Sequence, residues 1–257
     1  MDTFIYPALN SSELFGKTLI VPIVSAANVS QLAVDLLITS SSLVRLAIFD
    51  SEFFVPVAGG REDGIDGITA PLELYGKSGT NLLIIQQRSP VLKSRKSKFV
   101  ASLLQFIQES GFGCVLFLSG VELTNRMDSQ MFTPTYQVQL QRGPGLHGTI
   151  LNTLNSLPIP MFQSPRSDGE HGDINIPSIP GGGLSRRILS SLPDTWSTPT
   201  ASLLHFVLEG DNRADARLFA GVVAKVVCLD SLIEEWKSPS SWKLGLFGAP
   251  HDYTLYG

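Results

Sequence analysis

The sequence predicts an α/β fold, a mostly parallel sheet flanked by helices on both faces, and three observations carry that prediction. Short apolar runs rich in β-branched residues alternate with longer segments of helical periodicity in the first half of the chain, the element order of a parallel sheet. Those runs show little polar alternation, as expected of strands buried on both faces. The 257 residues, 43% hydrophobic and 16% charged, also suffice for a core that needs no disulfide or metal staple.

Thr18 to Val24 (TLIVPIV) reads as the first buried strand, with Pro22 the weak point because proline donates nothing to a ladder. A helix follows. Asn28 is placed to cap it, with Gln31 as the return half of a capping box, and Val29, Leu32, Ala33, Leu36 and Leu37 fall on one face. Leu43 to Phe49 is the next strand, so this unit predicts a right-handed parallel crossover. Phe53 to Val57 suggests a third short strand, and Gly59 to Gly67 a solvated loop. Leu72 to Tyr75 and Asn81 to Gln87 flank the hairpin signal Gly76-Lys77-Ser78-Gly79.

The basic run Lys93-Ser94-Arg95-Lys96-Ser97-Lys98 leads into a helix carrying Phe99, Val100, Leu103, Leu104, Phe106 and Ile107, ended by Gly111. Gly113 to Leu118 then closes a second strand–helix–strand unit. Tyr136 to Leu140 alternates glutamines, predicted to face outward, with apolar residues, as an edge strand would. Helices are predicted at Leu184 to Leu192, at Thr200 to Leu208, and from Asp211 as N-cap to about Leu232. The domain expectation is one α/β domain over 1–257. The proline-rich, polar segment around Ser167 to Asp173 cannot bury enough to offset its ordering, so a mobile insertion is expected at 163–178. Gly248-Ala249-Pro250 releases a flexible tail at 248–257.

Nineteen basic against 23 acidic residues leave a net charge of -4, the opposite of a nucleic-acid binder's footprint. Two cysteines, Cys114 and Cys228, argue against a secreted disulfide framework and a cysteine-rich zinc site. An acid follows Met1 where a signal peptide needs bases, and no stretch approaches the ~20 apolar residues of a membrane span. The expectation is a soluble intracellular protein that binds neither nucleic acid nor membrane.

The chemical inventory is sparse. No two of His147, His171, His205 and His251 fall within four residues of each other, so no helical metal pair exists. Cys114 reads as a strand residue and Cys228 as a helix residue, both small buried hydrophobes. Neither a nucleophile elbow nor a phosphate-binding Gly-Lys loop occurs. Catalytic, metal and cofactor residues are therefore expected to be none. Three features stand out. Ile179-Pro180-Gly181-Gly182-Gly183-Leu184 opens a helix and is either an anion cradle helped by Arg186 and Arg187 or a close-packed turn. The basic run at Lys93 to Lys98 is either a solvated face or a match for an acidic partner. The tail ends in Leu255-Tyr256-Gly257, and hydrophobic–Tyr–any at a chain end resembles the motif by which proteasome activators and assembly factors enter pockets between α-ring subunits.

Several stretches together resemble the proteasome assembly chaperone 2 family. They are Thr18-Leu19-Ile20-Val21-Pro22, Asn28 through Ile38, Arg88-Ser89 with Lys96-Ser97-Lys98-Phe99, Ile179 through Gly183, Phe206 through Asn212, and Pro239-Ser240-Ser241-Trp242-Lys243, in family order over nearly the whole chain. The resemblance implies a nucleoside-phosphorylase-like fold and a non-enzymatic chaperone without cofactor, working in the cytoplasm and the nucleus. Its implied partners are proteasome assembly chaperone 1, as a heterodimer, and the outer face of the proteasome α-ring, whose assembly it promotes while blocking premature activator binding. Leu255, Tyr256 and Gly257 are then the α-ring contacts. The competing expectation is a phosphorylase- or hydrolase-like enzyme with an anion site at Gly181 to Gly183.

Overall fold

Among the described residues, eight strands form one mixed sheet. The computed structural model describes residues 4–61, 65–140, 143–164 and 176–244. Its strands are β1 (Ile5–Tyr6), β2 (Thr18–Pro22), β3 (Val44–Phe49), β4 (Leu72–Gly76), β5 (Leu82–Gln87), β6 (Cys114–Glu122), β7 (Thr135–Gln139) and β8 (Thr200–Val207). The helices are α1 (Ser11–Leu14), α2 (Val29–Ser40), α3 (Lys96–Ser110), α4 (Gly183–Ser190) and α5 (Arg213–Val226). Strand order is β1-β3-β4-β5-β2-β6-β8-β7. The centre, β5-β2-β6-β8, is parallel throughout, whereas β1, β4 and β7 run the other way.

The expected α/β class holds, with helices on both faces. One face packs Phe99, Leu103 and Ile107 of α3 and Ile188 of α4 against Leu19, Leu83 and Val115. The opposite face packs Val34 and Leu37 of α2 and Phe219 and Val223 of α5 against Ile20, Ile84 and Leu116. Pro22 is tolerated because it closes β2, opposite Leu118, and the next ladder bond is made by the Ile23 amide. The unit β2–α2–β3 gives parallel strands, but β4 and β5 lie between them in the sheet. In β5–α3–β6 the two strands flank β2, and Gly111 ends α3 in the left-handed conformation at φ 66°.

Four local expectations are corrected. Asn28 precedes α2 but does not cap it. Its backbone is left-handed (φ 52°), and its side chain accepts from the Gln31 amide instead of a helix N–H. Phe53 to Val57 is no strand: a 3₁₀ turn covers Ser51–Phe53 and only Phe54 bridges to Val91. Gln137 faces inward, because its amide donates to the carbonyls of Leu154 and Ile159 (3.1 and 2.6 Å) and ties the 154–160 segment to the edge strand. Thr200 to Leu208, expected as a helix, holds strand β8, which lies one in from the sheet edge. All eight of its residues are buried, since β6 and β7 flank it and both helical layers cover it. The helix that follows is shorter than expected, Arg213–Val226. The expected insertion falls mostly, and the expected tail wholly, outside the described residues. No helix among the described residues is long and apolar enough to cross a membrane.

Because β8 is a strand, His205 sits in the sheet rather than on a helix. Its ring stacks on Phe219, centroids 4.8 Å apart, with Nδ1 2.8 Å from Thr135 Oγ1 and Nε2 unpaired. Burial, with repulsion from Arg126, pushes its pKa from 6.5 down to about 4. The unfolded chain therefore takes up this proton at a higher pH than the folded protein does. Stability from this residue is complete above the unfolded value and erodes by about 3 kcal/mol as the pH falls toward 4. Urea unfolding measured between about pH 7 and pH 4 is expected to show that slope, and His205→Leu combined with Thr135→Val to flatten it. An unchanged slope in the double variant would assign the acid sensitivity elsewhere.

Candidate functional site

A dense polar cluster lies where β3, β4 and β5 meet α2. Glu73 of β4 is fully buried, and its carboxylate accepts from Arg45 (2.7 Å), Arg88 Nε (2.9 Å), the Tyr75 hydroxyl (3.0 Å) and the Ala70 amide (3.1 Å). Arg88 also approaches Asp35 of α2 at 3.7 Å, and the Gln86 amide donates to Asp35 and to the Gln31 carbonyl. The neighbouring Ser89 hydroxyl donates to the Val55 carbonyl at 2.5 Å. A cavity of about 210 Å³ opens beside this cluster, lined among others by Asp35, Arg61, Tyr75, Arg88, Pro239 and Ser240.

The electrostatics of the cluster make it a strut. Burial by itself would raise the Glu73 pKa, but hydrogen bonds from Arg45 and Arg88 outweigh it and hold the carboxyl below its usual range. Burial, helped by the Glu73 charge, pushes the Tyr75 hydroxyl up to about 12. Burial opposes the charge on Arg88, yet Asp35, Tyr75 and Glu73 raise its pKa on balance. None of these three groups is poised to exchange a proton near neutrality, which general acid–base work requires.

The same corner holds the root of the C-terminal segment. The Lys237 amide donates to Ser40 Oγ at the end of α2 (2.9 Å). Pro239 and Ser240 line the cavity, and Trp242 is buried against the α2–α5 face. The expected site residues Leu255, Tyr256 and Gly257 lie outside the described residues. The thirteen residues after Leu244 span at most about 45 Å.

The carboxyl ends of β2 and β6, where open α/β sheets place ligands, are filled by the chain itself. A Cβ on Gly120 would stand 2.5 Å from the Ala26 carbonyl oxygen and 2.9 Å from Val29. The Gly120 amide donates to Ser25 Oγ (2.7 Å), and Glu209 accepts from the amide of Ala27, whose φ is 55°. The glycine turn before α4 is also committed to packing. Gly181 is left-handed, and a Cβ on Gly182 would sit 2.5 Å from Ile179. Arg187 reaches to Ser97 (2.9 Å), Ser185 bonds Ser119 (2.8 Å), and Arg186 is exposed. Cys114 is buried beside Thr18, and burial raises its pKa. Cys228, expected buried in a helix, is exposed just past α5 with φ 53°.

Comparison with known proteins gives this architecture its place. A model of the PAC2 family matches residues 19–156, spanning β2 through β7. The chain belongs to the PAC2 family. It is 29% identical to the Mus musculus protein named proteasome assembly chaperone 2, over 92% of this chain and 94% of that one. Identity to the Bos taurus protein of the same name is 30%, over 92% and 94%. Among solved structures it resembles Pyrococcus furiosus PbaA, described as an archaeal homolog of proteasome-assembly chaperone, at TM-score 0.60 and 18% identity, covering 84% of this chain and 83% of that one. It also resembles Pyrococcus furiosus PbaB, an archaeal proteasome activator, at TM-score 0.55 and 17% identity, covering 88% of each. These structures share the fold.

Sequence reasoning singled out Arg88-Ser89 only through the family resemblance and passed over Glu73 and Arg45. A lone glutamate in an apolar run, Leu72-Glu73-Leu74, was the available signal, since a charge inside a buried strand needs a partner. Glu73→Gln should cost about 3 kcal/mol or more in urea unfolding, because it leaves two guanidinium groups without their shared counter-ion. The comparable Glu52→Gln, at the exposed pair with Lys98, should leave the midpoint in place. Equal effects from the two substitutions would refute the strut assignment.

Proposed function

We propose that this protein is an assembly chaperone for the proteasome core particle. In this reading it pairs with proteasome assembly chaperone 1. The pair binds the outer face of the α-ring, promotes ring assembly and blocks premature binding of activators, in the cytoplasm and the nucleus. The observation that carries the reading is the end-to-end likeness to proteins named proteasome assembly chaperone 2, over nine-tenths of both chains. Two features of the fold support it: backbone fills the sheet crevice, and the buried charge cluster titrates far from neutrality.

The working end in this proposal is Leu255-Tyr256-Gly257. The Gly257 carboxylate meets a lysine ammonium at the base of an inter-subunit pocket, a charge-assisted contact available only to a free chain end. The Tyr256 ring lies against the pocket wall with its hydroxyl bonded, and Leu255 buries apolar area worth about 1–2 kcal/mol. Ordering the tail consumes part of that gain, so the tail works together with the partner's tail and the domain surface. Trp242 and the Ser40–Lys237 contacts supply the fixed origin from which the tail reaches.

Deleting Leu255 to Gly257 is expected to weaken co-purification with α-ring subunits while leaving the thermal unfolding midpoint and the heterodimer unchanged. Adding a single residue after Gly257, which displaces the carboxylate and removes no side chain, should weaken ring binding in the same direction. Undiminished ring binding by both variants would overturn the tail mechanism.

A further inference from the structure

Six cations meet on the α3–α4 face. Lys93 and Arg95 stand in the 3₁₀ turn ahead of α3, and Lys96 and Lys98 in its first turn. The Arg187 guanidinium donates to the hydroxyl of Ser97, which sits between those two lysines, so Arg187 joins the run, with the exposed Arg186 next to it in the chain. Lys96 is half-buried and the other five are exposed. Among the described residues, Glu52 is the acid that pairs with this group, at 2.6 Å from Lys98 and 3.8 Å from Arg95.

This arrangement runs against the electrostatics of its own fold. The positive end of a helix dipole favours acids, yet neither α3 nor α4 has an acid in its first turn or a side-chain cap. The chain as a whole carries -4, so its acids lie elsewhere. Local conflicts of this kind persist where a surface serves something outside the molecule. We infer that the α3–α4 face is a docking surface for an acidic segment of a protein partner. A long nucleic acid fits less well, because the chain is net acidic and these six positions offer no aromatic ring for base stacking. The face lies across the sheet from Trp242 and the α2–α5 layer, so it is separate from the tail root, and the inference does not rest on the tail mechanism.

The test uses the full chain and a fluorescein-labelled octaglutamate peptide, followed by fluorescence anisotropy at about 50 mM salt. Binding is expected, and it should weaken ~10-fold or more in the variant Lys93→Glu, Lys96→Glu, Arg186→Glu, and again when wild type is measured at about 0.3 M salt. The neutral set Lys93→Gln, Lys96→Gln, Arg186→Gln should lose less, in the same direction. The control Lys77→Glu, Arg217→Glu, Lys225→Glu changes net charge equally at exposed positions in the β4–β5 turn and on α5, and should bind as wild type does. Absence of binding by wild type, an equal loss in the control, or tighter binding of a single-stranded RNA octamer would overturn the inference. The assay contains no proteasome component, so its failure leaves the α-ring reading standing, and failure of the tail variants leaves this one standing.

Discussion

The fully buried Glu73 carboxylate is the constraint around which this corner of the molecule is arranged. An ion removed from water needs both charge and hydrogen bonds returned to it, and Glu73 receives them from Arg45 of β3, Arg88 just past β5, the Ala70 amide and Tyr75 of its own strand. Satisfying one side chain therefore fixes the mutual placement of three strands. Through Arg88 and Asp35 it also fixes α2. Lys237 is then seated against the end of α2 through Ser40.

The same economy runs through the places where an enzyme of this topology would hold a ligand. Gly120 lets the Ala26 carbonyl approach so closely that the crevice is closed by backbone. Ser25, Ser30 and Glu209 spend their hydrogen bonds holding that loop. Gly181 and Gly182 make a turn that packs on Ile179, and Arg187 is drawn toward α3. Interaction capacity is left on the outside, in the cationic face over α3 and α4.

Element by element, legibility followed whether a segment's environment left a mark on its residue pattern. The hairpin around Gly76 to Gly79 and the end of α3 at Gly111 were readable because turn and cap chemistry is local. Thr200 to Val207 was not: Leu203, Leu204 and Val207 satisfy a helical spacing as well as a doubly buried strand does, and only β6 and β7 on either side decide between them. Asn28 carries the right residue type for a cap, but a left-handed backbone turns its side chain away from the helix amides. Gln137 reads as an outward glutamine until the 154–160 segment arrives to take its hydrogen bonds.

By itself the sequence determined the α/β class and the two strand–helix–strand units. Each of these is a matter of residue type and short-range spacing. Tertiary structure alone decided that Glu73 and Arg45 join Arg88, that Gly120 closes the crevice, and that Arg187 reaches a basic run some ninety residues earlier. Those pairings depend on which strands become neighbours, and strand order is settled by burial of the whole sheet between its two helical layers, a global condition that no local window of sequence expresses.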